Sequence, residues 1–145
     1  MSPFVSALLL FVSLSSTTAS CPGTIASGLC FWLESFEAEH DAARIICDDA
    51  YPDSSLALVR DDASSAAVAA ITTGRPALIG LDRRSSGEFE WVDHEPLEYA
   101  NWAEGQPEDN LLDCVVANVD NVGGWAVASC SQTLPFVCSV PVGEA

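Results

Sequence analysis

Six cysteines, at positions 21, 30, 47, 114, 130 and 138, all lie downstream of a twenty-residue stretch that carries no charge. That arrangement narrows the possible folds more than any other feature of the 145-residue chain. An even set of cysteines spread over one domain-sized segment is the signature of an oxidising compartment and of three disulfides. Count alone leaves 15 pairings open. No CxxC pair occurs, and His40 and His94 are not spaced as a zinc pair, so a structural zinc site is not expected.

The preceding stretch, "MSPFVSALLLFVSLSSTTAS", has an apolar run from Phe4 to Leu14. Such a run is too short to span a bilayer and has the length of a signal-peptide core. Thr17, Thr18, Ala19 and Ser20 offer small residues for cleavage. Residues 1–20 therefore read as a signal peptide and 21–145 as one secreted, extracellular domain with no membrane insertion. The charge is lopsided, with 21 acidic residues against five arginines and no lysine. A field of that sign repels nucleic acid and anionic lipid, which require basic patches. Cations, basic proteins and neutral sugars remain as partners.

Local patterning predicts two helices. One is read over 36–50, with Phe36, Ala43, Ile46 and Cys47 on an apolar face. The second follows Asp61 or Asp62 as cap and ends at Gly74. Between them, 51–59 reads as a turn and a short strand. After Gly74 come five short apolar runs, at 77–81, 88–92, 114–119, 124–130 and 135–140, separated by turn residues around Gly87 and Gly123-Gly124. The stretch from Asp93 to Leu112 has no sustained periodicity, which in a compact domain marks a functional loop. Helices and mainly antiparallel strands segregated in this way make an α+β domain. No nucleophile and base pair stands out, the acid pairs Asp48-Asp49 and Asp61-Asp62 fall near helix ends, and no enzymatic activity is expected.

The order of short motifs carries a resemblance. Cys21-Pro22, Phe31 after the second cysteine and Ala43 four before the third are followed by "IGL" (79–81), "FEWVD" (89–93) and "PLEYANW" (96–102). "GQP" (105–107), "DCV" (113–115) and "FVC" (136–138) complete the series. In this order they resemble the C-type lectin-like domain in its long form. The resemblance implies a double-loop α+β fold with two helices, antiparallel strands, terminal strands that meet, and disulfides Cys21–Cys30, Cys47–Cys138 and Cys114–Cys130. It also implies that Trp91, Trp102 and Trp125 are core residues. His40 stands where the family often has tryptophan, and His94 where it often has glycine.

In sugar-binding relatives the long loop holds calcium, and the resemblance places its motif at Gln106-Pro107-Glu108. This is a galactose-type Gln-Pro-Asp with glutamate for aspartate, usually built around a cis proline. The ligand-binding residues expected on this basis are Gln106, Glu108, Asp109 and Asn110, and the metal-ligating ones Gln106, Glu108 and Asp113. A hard cation needs six to eight oxygens. The other positions at which the family supplies side-chain ligands carry Leu112, Ala126 and Val127. Calcium then depends on neighbours such as Asp109, Asn110, Asp113, Asp120 and Asn121. Asp82 with Glu88 suggests an auxiliary calcium site but leaves it unassigned. The expected function is a secreted recognition module that binds carbohydrate or a protein surface through residues 95–112. The alternative is an acidic secreted matrix or structural protein that binds mineral or divalent cations diffusely.

Overall fold

The computed structural model describes residues 20–142; the expected signal peptide lies outside them except for Ser20. The elements run β1 (Thr24–Ala26), β2 (Leu29–Ala38), α1 (His40–Ala50), β3 (Ser55–Leu56), α2 (Asp62–Ile71), β4 (Ala77–Asp82), β5 (Glu90–Trp91), β6 (Cys114–Ala117), β7 (Ala126–Ala128) and β8 (Leu134–Pro141). The sheet order is β1-β2-β8-β4-β6-β7, with β3 on β8 and β5 on β4. All pairs are antiparallel except β4 with β8. Among the described residues, no helix is long and apolar enough to cross a membrane.

Strand alternation sorts the core into two layers, because successive side chains point to opposite faces of a sheet. Phe31, Ile79, Val115 and Val137 join Trp91, Trp125 and Val68 of α2 on one face. Trp32, Leu78, Val116 and Phe136, each a chain neighbour of one of those strand residues, join Ala43 and Cys47 of α1 on the other. Each helix therefore closes one side of the sheet. The backbones of β4 and residues 56–57 approach closely at Gly80, whose amide bonds the Ala57 carbonyl at 2.8 Å. A Cβ there would stand 2.7 Å from the Leu56 carbonyl oxygen, so only glycine fits.

Three disulfides close: Cys21–Cys30, Cys47–Cys138 and Cys114–Cys130. The second spans 91 residues of sequence and ties α1 to β8.

The predicted start of the first helix is corrected. Residues 36–38 belong to β2, the helix begins at His40, and Phe36 is exposed on a strand. The apolar spacing that suggested a helix is overridden by pairing with β8, where Ala38 faces Leu134 across a register shift. Phe36 packs edge-on against Phe136 at 5.4 Å between ring centroids. Ile46 is only half-buried, and the buried face of α1 is His40, Ala43 and Cys47. β1 and the first part of β2 carry no local pattern strong enough to read from the chain alone, although the resemblance implies terminal strands that meet. α2 starts where its cap predicts: Asp61 accepts from the Ser64 amide at 2.8 Å, and the Ser64 hydroxyl accepts from the Asp61 amide, a reciprocal capping box. Its helical bonds end at Thr72, before Gly74.

Candidate functional site

The segment between β5 and β6 contains no helix or ladder strand, yet nearly every part of it is tied down. At its start Arg60 pairs with Asp93 and lies 5.8 Å from the centroid of the Trp91 ring. Burial alone would raise the Asp93 carboxyl, but Arg60 and the Glu95 amide outweigh it and hold the group below its usual range. Tyr99 donates its hydroxyl to Asp62 at 2.9 Å. Asn101 Nδ2 donates to Ser65 Oγ at 2.9 Å and to the Gly123 carbonyl at 3.1 Å, while its carbonyl accepts from Trp125. The loop's first half is thus docked on the start of α2 and on Trp125, the residue before β7.

Trp91 and Trp125 are fully buried, whereas Trp102 is half-buried and rests on Phe89 and Trp125. The Ala103 amide donates to the Trp125 carbonyl and the Gln106 amide to the Ala103 carbonyl, which leads into the turn at Gln106-Pro107-Glu108, whose Gln106–Pro107 bond is cis. Gln106 Oε1 accepts from the Val127 amide of β7 at 3.2 Å and from the Glu108 amide at 3.3 Å. Gln106 Nε2 donates to Glu108 Oε1 at 3.2 Å. The two side chains therefore meet, with Glu108, Asp109 and Asn110 exposed beside them. Leu111, the next residue, is 95% exposed.

Three of the other candidates serve the protein itself. Asn110 Oδ1 accepts from the Leu112 amide. Asp120 Oδ1 accepts from the Val122 and Gly124 amides, which hold its carboxyl below the ordinary range. Asp113 lies 3.3 Å from Arg83 Nε. Leu112, Ala126 and Val127 have no side-chain oxygen to offer.

A calcium ion does not fit this donor set. Both lone pairs of Gln106 Oε1 are already engaged by amides, and among the described residues no three His, Cys, Asp or Glu side chains converge to hold a metal. Asp82, considered for an auxiliary ion, instead accepts from the Arg84 amide and lies 3.6 Å from His40.

Two residues that sequence reasoning passed over organise the region. Arg83, directly after β4, reaches across to residues 108–113, and Arg60 clamps the other end. The only signal in the chain was scarcity: with five cations against 21 acids, each arginine has many possible partners and none is indicated by spacing.

Comparison with known proteins adds the following. The family model described as "Lectin C-type domain" matches residues 37–140. Lectin BRA-3 of Megabalanus rosa is 24% identical over 145 residues, covering 95% of this chain and 90% of that lectin. C-type mannose receptor 2 of Homo sapiens is 42% identical over 62 residues, which is 41% of this chain but only 4% of the receptor. The cow C-type carbohydrate-recognition domain of CD23, solved in the presence of a GlcNAc2Man3 oligosaccharide, superposes with a TM-score of 0.76 at 24% identity. That superposition covers 88% of this chain and 98% of that one.

Proposed function

Since the chain belongs to the C-type lectin domain family, a family of carbohydrate-binding domains, we propose that it is a secreted recognition module whose long loop binds its ligand without calcium. The ligand is a neutral glycan or a protein surface, met by Gln106, Glu108, Asp109 and Asn110. The carrying observation is the engagement of Gln106 Oε1 by the Val127 and Glu108 amides. An oxygen already bonded twice is a poor ligand for an ion, whereas the exposed Glu108 carboxylate and Asn110 amide can still hydrogen-bond a sugar hydroxyl or a peptide group directly. Exposed Leu111 adds apolar area beside them. Secretion is supported by the uncharged leader and by three disulfides.

The test is binding to a panel of immobilised neutral saccharides and extracellular proteins, with and without a chelator. Binding that persists in the chelator and is lost in the Gln106→Ala/Glu108→Ala double variant is the expected result. If the double variant binds as well as the parent, another face carries recognition, and if the chelator abolishes binding, the calcium-free reading is wrong. Binding that falls with ionic strength regardless of which sugar competes would favour diffuse capture of mineral or divalent cations by the acidic surface.

A further inference from the structure

Arg83 is one of only five basic residues in a chain of net charge −16, and its side chain is only 14% exposed. It is surrounded by oxygen. Nη2 donates toward the carbonyls of Glu108, Asn110 and Leu112 at 3.0, 3.3 and 2.9 Å, and Nε faces Asp113 Oδ1 at 3.3 Å. The guanidinium carbon also sits 4.9 Å from the centroid of the Phe89 ring, and Phe89 packs on Trp102 at 5.0 Å. The Arg83 backbone amide donates to the Asp113 carbonyl at 3.0 Å.

Three carbonyls turned toward Nη2 and a carboxylate toward Nε of one side chain make an arrangement that is unfavourable without a positive charge among them. It is the kind of donor set that a hard divalent ion takes in other loops. Here the charge is covalent. A guanidinium presents its donors in a rigid plane and stacks on an aromatic ring. Its bonds to carbonyls and carboxylate are charge-assisted, the stronger class of hydrogen bond.

We propose that Arg83 is the resident cation of the long loop, a positioning residue that fixes segment 108–113 in place of a divalent ion. β4 delivers it: Asp82 pairs with Cys114 in the sheet, so the residue after β4 and the residue before β6 are held together. The role concerns how the loop is shaped, and it stands whether or not a ligand binds on that face.

The test is amide hydrogen exchange of the oxidised protein over peptides covering 106–114, with β2 and β8 as internal reference. Arg83→Ala and Arg83→Gln raise loop exchange by roughly tenfold or more, Arg83→Lys falls between them and the parent, and the β2–β8 amides do not change. The parent's loop exchange is the same in millimolar calcium and in chelator. The proposal is overturned by Arg83→Gln as protected as the parent, by Arg83→Lys as loose as Arg83→Gln, or by a parent loop that tightens with calcium. Should Arg83→Ala fail to refold, the Gln and Lys variants decide on the same criteria. Equal loosening of loop and β2–β8 amides in Arg83→Gln also overturns it, since the residue would then serve the fold as a whole.

Discussion

The sheet around Cys47–Cys138 and the segment between Trp91 and Cys114 share one core but are held by different means. The first is regular structure: β2 and β8 run side by side over most of their length, α1 covers one face, and disulfides tie β2 to Cys21 and β8 to α1. The second has no ladder strand among its residues and depends on side chains that reach in from elsewhere. Arg60 and Arg83 supply such ties, and Asn101, within the segment, adds bonds outward to Ser65 and Gly123. A covalent bond across 91 residues restrains the unfolded chain, whereas a side-chain tie restrains only the folded loop. The loop can therefore loosen without the sheet, but not the reverse.

The largest effect expected is from removing the long-range staple. Cys47→Ala/Cys138→Ala lowers stability by about 4–5 kcal/mol in the chain-entropy account, seen as a fall in the denaturant midpoint with sheet and loop lost together. A loss below about 1 kcal/mol would mean that the sheet's own packing, not the disulfide, separates the two regions.

Asn101→Ala tests the loop side. Removing bonds to Ser65 Oγ and the Gly123 carbonyl leaves two groups to find other partners, at a cost of about 1–2 kcal/mol. Faster hydrogen exchange over 99–106 and unchanged β2–β8 amides would sharpen the contrast. A uniform loss of protection would erase it.

The smallest effect is one of pH and belongs to the sheet side. His40 is fully buried at the start of α1, where burial lowers its pKa, against the opposing pull of Asp41 and Asp82 and with a further push down from Arg84. A base with a folded pKa below its unfolded one contributes stability above about pH 6.5 that is lost as the pH falls toward the folded value. Asp41, Asp61, Asp93 and Asp120, all held low, lose theirs only in the more acid range. The melting temperature should thus begin to fall below about pH 6.5, and His40→Leu should flatten that first decline while leaving the acid one. An unchanged slope in His40→Leu would remove His40 from the account.

Much of the fold was legible because its signals are local. Asp61 and Ser64 lie three residues apart and cap α2 by themselves. The five apolar runs after Gly74 each overlap one of the strands β4 to β8, since short apolar stretches between turn residues are a local strand signal. Where the reading failed, at Phe36, spacing that suits a helix was outweighed by pairing with a strand a hundred residues away. The candidate loop was legible as a motif and illegible as a site. Gln106 and Glu108 are two residues apart and meet, but one of the two amides that occupy the Gln106 oxygen comes from Val127.

By itself, the sequence determined the class of the domain: cysteines suited to an oxidising compartment, helix caps, strand alternation and the loop motif all rest on interactions between near neighbours or on composition. The tertiary structure alone decided what fills the loop. The register of β4 against β6 sets Arg83 beside a segment 25–30 residues further along the chain, and the bridge of Trp102 to Trp125 sets Val127 beside Gln106. Those are distances between strands, and no periodicity along a single chain encodes which charge will meet which oxygen across a sheet.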